Sequence, residues 1–207
     1  VIVKGELRMS WKDNIQPNLL AAVAKADQKI APRLAEIDEQ ILENQDRVLK
    51  SFQAHNVAES DLYGSTGYGH NDEGRDKLEE IYADVLGGEG ALVRPQFVSG
   101  THAIGTALLG LVRPGDDILY ITGEPYDTLQ EVLGLAGNGI GSPKEYGIGV
   151  DYVDLLADGS VDFAGVKAKM TDKTKVVAIQ RSCGYATRDS FTVDQIKVMV
   201  EEVRKIN

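Results

Sequence analysis

The chain has 207 residues, 43% apolar and 26% charged, a balance that suits a globular protein with material for a sizeable core. Its 32 Asp and Glu outweigh 22 Lys and Arg for a formal charge of −10, with no basic run, which argues against a nucleic-acid backbone as partner. The single cysteine, Cys183, excludes an internal disulfide and a thiolate-built metal centre. No apolar stretch approaches a membrane span and residues 1–10 lack a signal-peptide core, so no membrane association and a cytoplasmic location are expected.

Leu19 to Ile30 is Ala-rich and predicts a helix, and Pro32 suits the first turn of a second one, where its missing N–H costs little. Leu34, Ile37, Ile41, Val48 and Phe52 then recur on one face of a long amphipathic helix, opposite Glu36, Glu39, Glu43, Asp46 and Lys50. That apolar stripe suits a core or a second subunit. "LYGSTGYGHNDEG" (62–74) is a glycine-rich loop, and "GRDKLEEIYADVLGG" predicts a helix stopped by Gly87 and Gly88.

From Ala91 onward the pattern alternates. "ALVRPQFV" predicts a strand, "THAIGTALLGLV" a helix, "DILYIT" a strand and "YDTLQEVLGLA" a helix. "GVDYVDLL" and "KVVAIQ" are further strands, separated by the helix "DFAGVKAKM" and followed by the closing helix "TVDQIKVMVEEVRKI". Strands separated by helices predict βαβ units, hence an α/β fold around a mostly parallel sheet. The expected division is a helical segment at 1–55 followed by the α/β domain at 56–207. A closing helix of this plan would normally deliver another strand, so the chain is expected to be truncated.

Most familiar chemical motifs are missing. There is no phosphate-binding G-x-x-x-x-G-K-[ST], "GNGIGSP" follows no strand, and Phe97 stands where a nucleophile elbow around Ser99 would need glycine. His55, His70 and His102 show no H-x-x-x-H spacing, so no metal site is expected, and Cys183 in "RSCGYATR" reads as an inert thiol. What remains is "VSGTHAIG" at 98–105, where Ser99, Gly100 and Thr101 place two hydroxyls and consecutive N–H groups at a helix start. Tyr126, just past the next strand, lies on the side of the sheet where ligands of open α/β folds gather, and there it could stack on a flat ring. Plainer roles remain open for each: a helix cap for Ser99, packing or capping for His102, packing for Tyr126.

"STGYGHNDEGRDKLE", "LVRPQFVSGTHAI", "ILYITGEPYDTL", "KTKVVAIQRSCGYATR" and "SFTVDQIK" together resemble the aluminium-resistance or methionine γ-lyase-like family. That family belongs with the fold type I pyridoxal-phosphate enzymes and is related to the Cys/Met-metabolism lyases. The resemblance covers roughly residues 30–207. It implies a three-layer α/β/α fold with a mostly parallel sheet, preceded by a long helical segment, and pyridoxal 5′-phosphate as cofactor. It implies a homodimer or homotetramer acting on a sulfur-containing amino acid by α-proton abstraction and β- or γ-elimination.

By the same resemblance Ser99, Gly100 and Thr101 would bind the cofactor phosphate and Tyr126 would stack on its ring. Tyr68 would reach across a subunit interface. His70 stands where the related lyases carry an arginine, which makes His70 and Arg75 candidates for a trans-subunit cation. Arg181 and Ser182 would follow the strand passing the cofactor. The Schiff-base lysine and the aspartate facing the pyridine nitrogen are expected beyond Asn207, so the chain would carry half a site and no turnover of its own. The alternative is a non-catalytic α/β module that binds a nucleotide or phosphorylated metabolite at the Ser99–Thr101 helix start.

Overall fold

The computed structural model describes residues 10–65 and 72–206. The chain forms two compact units, Val1–Arg94 and Pro95–Asn207.

In the first unit, a 3₁₀ turn at Trp11–Asn14 is capped by Ser10, whose hydroxyl accepts from the Lys12 N–H while its own N–H donates to Asp13. Helix α1 then runs from Pro17 to Ala54, 38 residues without a break. The expected new helix at Pro32 is therefore corrected: Pro32 lies inside α1. Proline removes one hydrogen bond, but α1 has good helix formers on both sides of it, and cooperative propagation carries the helix through. Of its residues only Ser51 is buried, and Leu19, Val23, Ile30, Leu34, Ile41, Leu42, Leu49 and Phe52 remain exposed.

The C-terminal end of α1 is fixed by polar contacts to α2 (Glu73–Leu86). Ser51 donates to Asp84 (3.3 Å), and His55 lies 2.6 Å from Asp84 and 2.9 Å from Glu80. A short turn at Glu59–Leu62 braces the other end of α2. There the Asp61 carboxylate accepts from the Ala58 N–H (2.7 Å) and Lys77 (2.8 Å). Gly74 passes so close to the Asp61 carbonyl that a Cβ at position 74 would collide with it. Glu79 holds the end of the unit by accepting from the Val93 N–H (2.9 Å) and the Arg94 guanidinium (2.8 Å). No strand forms at 91–98, contrary to the sequence expectation. Val93 gives its N–H to a carboxylate instead of a ladder, and Pro95 has none to give.

The second unit follows the alternation read from the sequence: α3 (Gly100–Leu111), β1 (Asp117–Tyr120), α4 (Asp127–Leu133), β2 (Gly149–Tyr152), α5 (Phe163–Lys169), β3 (Thr174–Ala178) and α6 (Val193–Ile206). The strands pair in parallel in the order β2-β1-β3, with Tyr120 opposite Tyr152 on one side and Ala178 on the other. Successive strand residues point to opposite faces, so β1 and its extension feed two cores. Ile118 and Tyr120 join Leu108 and Val112 at α3 and Leu129 and Leu133 of α4. Leu119 and Ile121 join Val166 of α5, Phe191 before α6, and Met199 of α6. The unit is a three-layer α/β/α sandwich, and the two loops that leave the C-terminal ends of β1 and β3 carry Tyr126 and the residues that hold it. No helix among the described residues is long and apolar enough to cross a membrane.

Candidate functional site

The turn before α3 folds as a capped helix start. Ser99 is the N-cap, extended in backbone, and its Oγ accepts from the His102 N–H at 3.1 Å. The next N–H groups, of Gly100 and Thr101, have no acceptor within the helix and point out along its positive end. His102 serves packing and local structure: its Nδ1 accepts from the Val98 N–H (3.4 Å), and its ring sits edge-on to Phe97 at 5.7 Å.

Tyr126 is positioned by the loop that follows β1. Gln180, just past β3, takes the Tyr126 N–H on its Oε1 (2.8 Å) and donates its own N–H to Thr122 (2.9 Å), tying the two strand ends together. The Tyr126 ring leans on the core cluster around Leu129 and Leu133, and Tyr185 stacks on it, with centroids 6.2 Å apart and planes 23° from parallel. A side-chain hydrogen bond with Tyr185, the Tyr185 charge and that of Asp127 raise the Tyr126 phenol above its ordinary pKa, so it stays neutral across physiological pH.

The S-G-T turn and Tyr126 meet through one contact: the hydroxyls of Thr101 and Thr128 are 3.0 Å apart, joining the first turns of α3 and α4. Beside Tyr126 opens a cavity of about 560 Å³, lined in part by Thr122, Tyr126, Asp154, Gln180, Tyr185 and Arg188. A second cavity of about 840 Å³, between the 155–163 segment and the start of α6, shares only Leu155 and Arg188 with it and holds none of the residues expected at the site.

The other expected residues are distributed as follows. Arg181 and Ser182 are exposed and do not line the cavity; the Ser182 carbonyl accepts from Gln180 and Arg188, and the Arg181 carbonyl accepts from the Phe191 N–H. Arg75 lies in the first turn of α2, paired with Asp72 at 3.2 Å, and its buried Nε has no acceptor among the described residues. Tyr68 and His70 fall outside the described residues. Sequence reading missed Gln180, Thr128, Tyr185 and Arg188. All but Thr128 belong to "QRSCGYATR", quoted for its resemblance, but no spacing rule marks a glutamine that spans two strand ends.

A family model described as methionine gamma-lyase matches residues 19–207. The chain belongs to that family. It is 51% identical over 188 residues to the uncharacterized protein YnbB of Bacillus subtilis (strain 168), which takes in 88% of this chain and 45% of the relative. Among solved structures, it resembles a Listeria innocua protein named "putative cystathionine beta-lyase involved in aluminum resistance". The identity is 50% and the TM-score 0.88, over 91% of this chain and 46% of that one. A carbon-sulfur lyase involved in aluminum resistance from Clostridium novyi NT gives 40% identity and a TM-score of 0.87, over 95% of this chain and 47% of that one. The chain thus spans about half the length of these family members.

The residues present suit a phosphorylated flat ring. Gly100 has no positive φ, and a Cβ there would meet no protein atom within 4 Å, so neither backbone strain nor packing calls for glycine at that position. Its open side lies at a helix start flanked by two hydroxyls, the arrangement an anion needs for close backbone approach. Tyr126 is the residue before α4, two before the Thr128 that touches Thr101, while Ser99, Gly100 and Thr101 line neither cavity.

Proposed function

We propose that the full-length protein is a pyridoxal-phosphate-dependent carbon–sulfur lyase acting on a sulfur-containing amino acid. The reaction would remove the α-proton and eliminate at the β- or γ-carbon, and the second unit of this chain would supply the phosphate and ring-stacking half of the site. The observation that carries this reading is the juxtaposition of the S-G-T helix start with Tyr126 through Thr101 and Thr128 at 3.0 Å. Family membership supports the lyase class.

In this reading the Gly100 and Thr101 N–H groups and the Ser99 and Thr101 hydroxyls hold the phosphate dianion. Ser99 keeps its O–H for donation while its lone pair accepts from His102. Tyr126, fixed through Gln180, sets the plane of the ring, and its phenol stays neutral against the dianion nearby. Bound here, pyridoxal phosphate supplies an electron sink for the charge left when the α-proton departs. The lysine and the ring-nitrogen aspartate belong to the part of the family's length that this chain does not span. Arg181 and Ser182 take the substrate side, and Tyr68, with His70 or Arg75, completes the site of a neighbouring subunit in a cytoplasmic homodimer or homotetramer.

Cofactor titration of the full-length protein tests the assignment. Thr101→Ala removes a charge-assisted hydrogen bond and should weaken binding by a factor of about 10 to 150, the equivalent of about 1.5–3 kcal/mol. Gly100→Val fills the side from which the phosphate approaches and should weaken it further. Unchanged affinity for Gly100→Val in a folded protein would overturn the assignment. For the cross-subunit role, mixing Tyr68→Phe with a variant dead at Gly100 should restore some activity. Mixed oligomers with none would sink that part.

A further inference from the structure

We infer that Tyr185 is a displaceable cover on Tyr126, occupying the ring face on which a bound flat ring would stack, so that ligand binding exchanges one aromatic partner for another. The inference rests on Tyr126 being the stacking residue.

The two rings are stacked with centroids 6.2 Å apart. Inserting a third ring between them would need about 7 Å or more, two successive contacts of about 3.5–4.0 Å between carbon atoms, so the ligand cannot simply slip in. Tyr185 has to leave. Little holds it beyond the stack and the phenol contact with Tyr126, since its residue is 89% exposed and Tyr126 is its one aromatic partner among the described residues.

The chain is shaped to lay this residue on the ring. Gly184 adopts φ +56°, and a Cβ there would lie 2.9 Å from Cδ2 and 3.0 Å from Cε2 of Tyr126. Only glycine lets the backbone turn this close to the Cδ2–Cε2 edge of the ring. The base of the loop is anchored separately. Arg188 donates to the carbonyls of Gln180 (3.1 Å), Ser182 (2.8 Å) and Asp189 (2.9 Å), and its guanidinium lies 4.6 Å from the Phe191 ring centroid. Three carbonyls and an aromatic face fix the flanks, whereas the tip at Cys183–Ala186 has its own turn and a 3.8 Å contact from Ser190 to Cys183, so it can swing without unpicking the strand end. Both the tip and Arg188 line the 560 Å³ cavity beside Tyr126, so the displaced ring has room on the ligand side. A phosphate without a ring does not have to move Tyr185, so the cover lowers affinity for flat aromatic ligands and leaves that for phosphate alone unchanged.

The test uses the full-length protein stripped of cofactor and 4′-deoxypyridoxine 5′-phosphate, which keeps the ring and the phosphate but has no aldehyde, so the signal is independent of any lysine. Affinity and association rate are read by fluorescence quenching in stopped flow, with inorganic phosphate as competitor. Tyr185→Ala should bind the analogue about 2- to 13-fold more tightly, the worth of one aromatic pair, and associate faster. The phosphate inhibition constant should not move. Gly184→Ala, which pushes the tip off the ring, should shift affinity in the same direction. Unchanged or weaker analogue binding by Tyr185→Ala, in a protein with wild-type thermal unfolding, overturns the cover. If instead Gly100→Val leaves analogue binding unaffected, the site reading itself fails, and the cover with it.

Discussion

The two units reach order by different physics. Among the described residues, every buried large apolar side chain but one, Ile81, belongs to Pro95–Asn207. There a parallel sheet is covered on both faces, and its stability is the hydrophobic burial of two clusters. Val1–Arg94 has a helix of 38 residues, roughly 57 Å of chain, of which a single serine is buried. It relies on local pairs such as Arg33–Glu36 and Asp46–Lys50, both 2.6 Å, and on carboxylates that clamp α2 to its surroundings. The lesson is that the candidate ligand site is built on the well-buried unit, where the strand ends hold Tyr126 and the start of α3 touches the start of α4.

The sharpest way to break this comparison is a matched pair of truncations. Leu133→Ala empties a fully buried position between the sheet and α4, and should cost about 2–5 kcal/mol. Leu42→Ala on α1, at a side chain 66% exposed, should stay within about 0.5 kcal/mol. Denaturant unfolding midpoints read both. Equal losses would mean that α1 has an apolar partner and that the contrast between the units is false.

A smaller effect probes close backbone approach, the first unit's substitute for a core. Gly74→Ala places a methyl against the Asp61 carbonyl and should cost about 1–3 kcal/mol through forced displacement of the 59–62 turn. Since the helix propensity of alanine favours the variant by about 1 kcal/mol, any net loss is steric. A stabilised Gly74→Ala protein, by the same unfolding measurement, would show that the turn does not pack on α2 as described.

The sequence was most informative where burial imposes a period. β1, β2, β3 and the helices between them were legible because their side chains alternate between two cores, as Ile118 and Tyr120 do against Leu119 and Ile121. The Ser99 cap was legible from local chemistry, and the pairing of its turn with Tyr126 came from the family resemblance rather than from spacing. Two expectations failed for one reason: a strong local signal was overruled by its neighbours. Pro32 did not start a helix because long helix-forming stretches flank it, and "ALVRPQFV" did not become a strand because Glu79 took the Val93 N–H and Pro95 has none to give. Gln180, Tyr185 and Arg188 were illegible as site-builders because their roles depend on contacts across the β1 and β3 ends or within an irregular loop, where no period operates.

The smallest expected effect concerns the polar clamp between α1 and α2. His55 is held by Asp84, first through a hydrogen bond and then through charge, with Glu80 adding to both, and its pKa is raised above 6.5. Asp84 is correspondingly lowered below 3.8, chiefly by the His55 hydrogen bond. A raised histidine pKa means that the folded unit binds the proton more tightly than the unfolded chain. Its stabilisation is complete below the unfolded value near 6.5 and is lost as pH rises through the higher folded value. Asp84 acts in the opposite sense: its contribution is present above 3.8 and disappears as pH falls through the lowered folded value. The clamp is therefore strongest in mildly acidic solution, between the two. The groups are solvated, so the effect is modest and should weaken with salt. Amide hydrogen exchange at the C-terminal end of α1 and along α2 should slow, after correction for intrinsic rates, as pH is lowered from about 8 to about 6, toward the side where the protonated His55 is held. His55→Gln should flatten that dependence, while protection in the β1–β3 sheet stays as it was. A pH response of equal size in the sheet would remove the electrostatic distinction between the two units.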